Sequence, residues 1–407
     1  MATKGYSAPE VEQLYTHART LCQRVGDTPQ LFQVLRGTLL FYLVRGQTQP
    51  ALEIAEQLLQ RVERQSDSGP QMLGHYLMGM ALFQRGVPQE AVHHFEQAVC
   101  LYDRQQHQQL AQLYGIDIGV AARSFLAWPL WYLGYPERAL AHGHQALSLA
   151  QELNHPFSLV FAHCWLAWLH QLRQEPQAAQ EQGNAGATLA SQQRFALYAA
   201  WSTVTQGWAL TQLNHHNEGM AKMQTGVDGA AATGAEALRP YFLALLAEVR
   251  GNNGHPEEGL RLLDEAMKVV ERTEERFYEA EIYRLKGQLT LETSGWKLEA
   301  SSSSPQAPSL KPLDPNGVER EAEQCFLKAI AIAREQHAKS LELRAIMNLV
   351  RLRQQQVAVD ESRHTDPASR SRLEEAHTLL RDIYAWFTEG LETPDLISTR
   401  ALLHELS

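Results

Sequence analysis

Cysteine is scarce in this sequence of 407 residues, which holds only four of them. No two are close enough to form a CxxC pair, the spacing that marks zinc sites and redox motifs, so we expect free thiols. No apolar run approaches the roughly 18 residues that a membrane span needs, and the N-terminus lacks the pattern of a secretory signal. These absences predict a cytoplasmic protein without a membrane segment. The cysteines are Cys22, Cys100, Cys164 and Cys325.

Charge of one sign does not dominate, and basic clusters are missing. Lys and Arg number 36 against 46 Asp and Glu, which gives a formal net charge of −10. Proteins that bind nucleic acid present a concentrated basic surface, so we predict no direct contact with nucleic acid.

Motifs for chemistry are also missing. The sequence contains no GxxxxGK[ST], no GxGxxG, no HExxH and no GxSxG, the patterns of phosphate loops, dinucleotide sites, zinc proteases and serine hydrolases. Adjacent histidines such as His93 and His94 point about 100° apart on a helix, which disfavours one shared ion. His163 and Cys164 lie in a helical stretch without an orienting third group. We therefore predict no catalytic residue, no metal site and no cofactor.

The sequence does contain a repeat with a period of 40 residues, clearest over residues 120–291. Trp128, Trp168 and Trp208 stand at that interval, and turn signals such as 134–136 separate stretches of helical periodicity. A fixed period of this size indicates stacked helix-turn-helix pairs, because one pair does not bury its apolar face alone. Small residues form two columns, Ala127, Ala167, Gly207, Ala247 and Gly287, then Ala139, Ala179, Gly219 and Gly259.

An earlier copy carries the most complete signature. Gly79, Gly86, Ala91, Phe95 and Ala98 follow the spacing of small residue, turn glycine, alanine, aromatic and alanine. This pattern resembles the tetratricopeptide repeat (TPR), although the period of 40 exceeds the usual 34 residues. The resemblance implies an all-α, right-handed TPR-like α-solenoid of about seven to eight helix-turn-helix repeats.

The predicted organisation is a single superhelical domain over residues 1–407. The N-terminal helix fits the second helix of a repeat, which leaves open a simple capping helix or a chain cut from a longer one. Four consecutive serines and several prolines predict that 295–317 is a disordered insertion. The predicted parts are an N-terminal helix (8–25), repeats (28–292), the insertion (295–317), a repeat (318–355), a polar loop (356–370) and C-terminal helices (371–407).

The end of the chain resembles the C-terminus of a family of bacterial signalling proteins, over Ile383–Gly390, Leu391–Ile397 and Ala401–Leu406. The stretches Arg239–Glu248 and Tyr278–Gly287 resemble repeats of the same family. In that family a class III nucleotide cyclase module and a signal-transduction (STAND-type) ATPase precede such repeats. The resemblance implies a sensor or regulatory arm whose full-length parent could carry adenylate or guanylate cyclase and ATPase modules. In the same region, the glycine that closes the first stretch is predicted to end a helix, with Thr393 as the cap of the next and Pro394 at its start.

The TPR resemblance also implies which residues face the concave groove. Aromatic anchors in a concave surface mark binding sites, while tightly coiled repeats would pack the same side chains as core, and the sequence leaves both interpretations open. We predict a non-catalytic module that binds a protein, a peptide or a small ligand; the alternative is a stand-alone scaffold. The candidate groove residues are Trp128, Trp131, Phe161, Trp168, Trp201, Trp208, Tyr241, Glu281 and Arg284.

Overall fold

The computed structural model describes residues 17, 29–62, 66–295, 315–363 and 368–405. Within these ranges every regular element is an α-helix, and there are 19 of them. The expected all-α, TPR-like helical repeat is therefore confirmed. The predicted N-terminal helix, apart from residue 17, and most of the predicted insertion lie outside the described residues.

The helices are numbered in chain order. The first twelve are α1 (Pro29–Val44), α2 (Thr48–Val62), α3 (Ser68–Gln84), α4 (Pro88–Leu101), α5 (Arg104–His107), α6 (Leu110–Tyr114), α7 (Ile118–Tyr132), α8 (Pro136–Leu153), α9 (Pro156–Leu172), α10 (Pro176–Gln193), α11 (Ala196–Gln212) and α12 (His216–Ala232). The others are α13 (Arg239–Asn252), α14 (Pro256–Thr273), α15 (Glu279–Thr293), α16 (Pro315–Glu335), α17 (Lys339–Arg363), α18 (Ser369–Tyr384) and α19 (Pro394–Glu405). None of the described helices is long and apolar enough to cross a membrane.

Contacts divide the chain into two compact units, where the sequence predicts a single domain. Each repeat of a stack touches mainly its neighbours, so such a chain separates readily into groups of repeats. Unit 1 comprises Met1–Trp131, Glu137–Phe242 and Lys268–Phe277, and unit 2 comprises Tyr132–Pro136, Leu243–Met267 and Tyr278–Ser407. Unit 1 contains the hairpins α1–α2, α3–α4, α9–α10 and α11–α12, and unit 2 contains α15–α16 and α17–α18, with α19 packed on α18.

The small-residue columns lie where the helices of a hairpin touch. A methyl group added at Gly207 would lie 2.6 Å from the carbonyl oxygen of Gly219, and one added at Gly219 would lie 2.6 Å from the carbonyl oxygen of Gly207. In another hairpin, a methyl group at Gly79 would meet the ring of Phe95 at 2.7 Å. The columns are therefore small because the two backbones approach too closely for larger side chains.

One boundary near the C-terminus differs from the prediction. Residues 356–363, assigned to a polar loop, continue α17 as far as Arg363. The stretch is polar, but it is built of good helix formers such as Gln and Ala and holds no proline before Pro367. The loop prediction was wrong over 356–363, because a polar composition is compatible with a helix as well as with a loop. Residues 364–367 lie outside the part of the chain that is described.

The connection before the last helix also differs. Helix α18 ends at Tyr384, so Gly390, with φ of 67°, lies within the connection and does not end the helix directly. Thr393 takes the predicted N-cap position, since its carbonyl oxygen accepts from the Ile397 N–H at 2.9 Å, but its hydroxyl donates to the Gly390 carbonyl oxygen at 2.7 Å. Pro394 begins α19 as predicted, because its fixed φ suits the first turn and its missing N–H is not needed there.

Candidate functional site

The aromatic residues predicted to line a groove are all buried in unit 1. In this structure their side chains face one another and not solvent, and their assignment to a binding surface stays a prediction. The exposed fractions are 0% for Trp128, Trp168, Trp208 and Tyr241, 3% for Trp131, 4% for Phe161 and 5% for Trp201.

Ring contacts join most of these residues into one cluster. The rings of Trp128 and Trp165 are 4.9 Å apart between centroids, as are those of Trp165 and Trp168. Trp168 contacts Trp201 at 5.6 Å, and Trp128 contacts Tyr241 at 5.5 Å. Most of these pairs are edge-to-face, a geometry that the quadrupoles of the rings favour. We call Trp128, Phe161, Trp165, Trp168, Trp201 and Tyr241 the aromatic cluster.

The sequence analysis missed Trp165, although it lies in the middle of the cluster. It stands three residues before Trp168 on α9, so both occupy the same helix face. The helical spacing of the two tryptophans was the available signal. The column with a period of 40 drew attention to Trp168 alone.

Hydrogen-bond donors inside unit 1 remain without acceptors. The indole N–H groups of Trp165, Trp168, Trp201 and Trp208 are buried and meet no acceptor among the described residues. Trp128 does donate, to the Trp165 carbonyl oxygen, at a long 3.4 Å. A buried donor without a partner costs about 1–3 kcal/mol. The interior of unit 1 is therefore less satisfied than an ordinary apolar core.

Backbone hydrogen bonds close unit 1 over residues far apart in the chain. The N–H groups of Glu236 and Ala237 donate to the Val44 carbonyl oxygen at 2.9 and 3.0 Å. The Thr48 hydroxyl donates to the Thr273 carbonyl oxygen at 2.7 Å, across a sequence separation of 225 residues. We call residues 44–48, 84–85, 236–238 and 273–276 the seam. It joins the turns of the first two hairpins to two later connections.

Two acidic residues of the seam lie in different environments. Glu274 is partly exposed and forms an ion pair with Arg85, with 2.6 Å between Glu274 Oε2 and Arg85 Nη1. Glu275 is 1% exposed, and its Oε1 accepts from the Leu238 N–H at 2.8 Å, while its Oε2 has no partner. Burial raises the pKa of Glu275 to about 8, opposed by the hydrogen bond from the Leu238 N–H and reinforced to a smaller extent by nearby Glu236.

The two charged residues predicted for the groove, Glu281 and Arg284, lie in unit 2 and are 2% and 7% exposed. Arg284 Nη2 donates to Glu281 Oε1 at 2.9 Å and lies 3.4 Å from Glu248 Oε1. Its Nη1 donates to Gln288 Oε1 at 2.8 Å. All four residues lie on α13 and α15, and the assignment of Glu281 and Arg284 to a groove stays a prediction.

Arg344 extends this network to the last helix. Its Nη1 lies 3.6 Å from Glu281 Oε1, and its Nε donates to Asp395 Oδ2 at 2.8 Å. Burial alone would raise the pKa of Glu281, but Arg284 and Arg344 outweigh it and hold that pKa below its usual range. We call Glu248, Glu281, Arg284, Arg344 and Asp395 the charge network.

A Ser, His and Asp grouping at the start of α9 invites a catalytic interpretation that its geometry does not support. Ser158 Oγ lies 2.9 Å from His155 Nδ1, but it also accepts from the Asp117 N–H at 2.9 Å and is 0% exposed. The grouping therefore ties the start of α9 to the connection that precedes α7. Among the described residues no group of three or more His, Cys, Asp or Glu side chains is arranged to hold a metal ion.

No known family model matches the sequence, and no curated protein shows significant similarity to it. Among solved structures, a Rap protein complexed with Competence and Sporulation Factor aligns at a TM-score of 0.55 and 12% identity. The alignment covers 99% of this chain and 94% of that one. At this identity the similarity shows a shared helical-repeat fold.

Two further structures align more loosely. A Signal Transduction ATPase with Numerous Domains with a TPR sensor, from Pyrococcus horikoshii, aligns at a TM-score of 0.46 and 13% identity, over 98% of this chain and 55% of that one. The apo form of the quorum sensor NprR from B. thuringiensis aligns at 0.47 and 12% identity, over 93% of each chain. Alignments below 0.5 are too loose to add to the argument.

Proposed function

We propose that this chain is a non-catalytic regulatory module that binds a peptide, or an extended segment of a protein, at the aromatic cluster of unit 1. The observation that carries the proposal is the set of buried indole N–H groups without acceptors. An extended peptide offers both carbonyl oxygens for such donors and apolar side chains for the rings. The Rap structure with the same fold was solved in complex with a factor, which supports a ligand-binding role.

Access to the cluster requires a rearrangement, because its side chains are buried in the structure. The seam is the element whose opening would expose it, since Phe277, next to the seam, contacts Trp128 at 6.0 Å and Tyr241 at 6.4 Å between centroids. A ligand that binds only the open form shifts the population toward that form. The regulatory output would be this shift, transmitted to a signalling ATPase or nucleotide cyclase in the parent protein.

A peptide library displayed on phage, selected against the full chain, tests the proposal. Selected peptides are synthesised, and their binding is measured by the change in tryptophan fluorescence. Trp201→Phe keeps an aromatic ring and removes the N–H, so we expect affinity to fall about tenfold, the equivalent of about 1.4 kcal/mol.

The matched control is Trp386→Phe, which changes a tryptophan of unit 2 that is 48% exposed. This variant should bind the selected peptides as the wild type does. Failure to select any peptide, or equal affinity of the Trp201→Phe chain, would overturn the proposal.

A further inference from the structure

The charge network of unit 2 is a continuous chain of polar contacts that ends on the C-terminal helix. It runs from Gln288 through Arg284 and Glu281 to Arg344, and from there to Asp395 in the first turn of α19. Both arginines approach the same oxygen, Glu281 Oε1. Asp395 is thus the one carboxylate of the network that an end segment of the chain supplies.

The network has spare donors. Arg284 Nε and Asn348 Nδ2 are buried and meet no acceptor among the described residues. Asn348 follows Arg344 by one helical turn on α17, so both side chains extend from the same helix face. Arg284 and Asn348 are 7% and 5% exposed. Glu281 Oε2 is also buried and without a partner among the described residues, so two donors and one acceptor of this region are unused, and an oxyanion with several lone pairs could accept from the two donors.

Helix α19 holds its place through few groups. It has 12 residues, a length at which an isolated helix is marginal in water. Leu396, Thr399 and Leu402 are buried, and Asp395 provides the ion pair. The Asp395 side chain is 25% exposed, whereas that of Arg344 is 8% exposed, so solvent reaches the contact from the side of α19.

Exchange of one carboxylate for another is the transition that this geometry favours. When Asp395 leaves, Arg344 keeps Glu281 at 3.6 Å but loses its nearest carboxylate, and removing one partner of a buried ion pair is strongly unfavourable. A carboxylate from outside restores the charge-assisted hydrogen bond that the departure of Asp395 breaks. Helix α19 is therefore held in place until an equivalent anion arrives.

We propose that Arg344, with Arg284 and Asn348 beside it, forms a binding site for the carboxylate of a peptide, and that the chain fills this site with its own Asp395. The C-terminal carboxylate or an acidic side chain of a peptide displaces Asp395 and releases the first turn of α19. The proposal concerns unit 2 and is independent of peptide binding at the aromatic cluster.

The first test uses the wild-type chain and N-acetylaspartate, with N-acetylasparagine as the neutral probe of nearly equal shape. Amide hydrogen exchange is measured over 394–405 by mass spectrometry. We expect exchange in this segment to accelerate at least threefold with N-acetylaspartate and to stay unchanged with N-acetylasparagine. The proposal would be overturned if hydrogen exchange responded equally to both probes. It would also be overturned if exchange responded to neither probe, even at a concentration 50-fold higher than the first one used.

The second test uses Asp395→Asn, which removes the negative charge of residue 395 and keeps the shape of its side chain. N-acetylaspartate should raise the melting temperature of this variant. The concentration required should be at least tenfold lower than the concentration that gives the same rise in the wild type. Arg344→Gln added to Asp395→Asn should abolish the response. Glu392→Gln, a change at an exposed acidic residue three positions earlier, is the control and should behave as the wild type.

Inorganic phosphate distinguishes the source of the anion in the same assay. A response of Asp395→Asn to phosphate and not to N-acetylaspartate would refute a carboxylate site. A response that survives in the double variant would show binding elsewhere and would also refute it. If Asp395→Asn loses helix content, the hydrogen exchange of the wild type decides alone.

Discussion

The interiors of units 1 and 2 differ in the side chains that they bury. In unit 1 the inner side chains are aromatic, and the contacts among them are between rings, as in the 4.9 Å pair of Trp165 and Trp168. In unit 2 the apolar core also encloses charged side chains of α15 and α17, where Arg284 and Arg344 share the Glu281 carboxylate. The same kind of helical repeat therefore buries aromatic side chains in one unit and charged side chains in the other.

The difference lies in what each interior leaves unsatisfied. The ring contacts of unit 1 prefer an edge-to-face geometry but do not use the indole N–H groups, so unit 1 tolerates these unpaired donors at a cost of about 1–3 kcal/mol for each. Charges tolerate no such gap, because an uncompensated buried ion is far more costly than an unpaired N–H. Ring packing therefore suits an interior that opens, whereas the charge network suits an interior that exchanges one ion for another.

The largest effect should follow from truncation in the aromatic cluster. Trp128→Ala removes a side chain that is 0% exposed and leaves a cavity, which should lower the free energy of unfolding by about 3–5 kcal/mol. Urea denaturation followed by circular dichroism measures the loss. Trp386→Ala, in an exposed position, should cost far less; equal costs would show that Trp128 is not part of a packed interior.

A comparable loss in unit 2 should have a different cause. Arg284→Leu removes the cation nearest Glu248 and one of the two arginines that hold Glu281, and should cost about 3–5 kcal/mol. Because the penalty comes from the stranded charge and not from a cavity, adding Glu281→Leu should recover a large part of the loss. A double-mutant cycle in urea measures the recovery. Simple additivity of the two losses would contradict a charge origin.

The aromatic half of this comparison could be read from the sequence more fully than the charged half. The period of 40 selected Trp128, Trp168 and Trp208, and each is fully buried. Trp165 needed only helical spacing. Burial itself was not predictable, because the seam joins residues such as Thr48 and Thr273, whose approach depends on how far the repeats coil.

The charge network was harder to predict, because the period of 40 residues is interrupted by the insertion at 295–317. Glu281 and Arg284 precede the insertion and were selected by their place in the repeat. Arg344 and Asp395 follow it, in segments where the fixed period no longer assigns positions. The loop predicted at 356–370 was wrong over 356–363, which are helical, because polarity alone does not separate a helix from a loop.

A matched pair of alanines tests whether the units differ only in their inner side chains. Ala98 of unit 1 and Ala329 of unit 2 hold the same place in the TPR pattern, and both are 0% exposed. Ala98→Leu and Ala329→Leu should each lower the free energy of unfolding by about 1–3 kcal/mol through overpacking. Urea midpoints of the two variants measure this. A cost confined to one unit would mean that the hairpins themselves are packed differently.

The smallest effect should come from pH and should have opposite sign in the two units. The pKa of Glu275 is raised by burial from 4.5 to about 8, so the folded state binds its proton more tightly than the unfolded state does. Stability is then fully present below pH 4.5 and falls as the pH rises toward 8. Glu275→Gln keeps the acceptor for the Leu238 N–H and removes the charge, so it should stabilise the chain by at least about 1 kcal/mol at pH 8.

Glu281 provides the contrast, because its two arginines lower its pKa. Its contribution is present above the unfolded pKa and is lost as the pH falls through the folded value. Glu281→Gln should therefore destabilise most at neutral pH, where Glu275→Gln already stabilises. Melting temperatures of both variants relative to the wild type, from pH 4 to pH 8, measure the two slopes. Slopes of the same sign would refute the view that one buried carboxylate lacks a cation and the other is held by two.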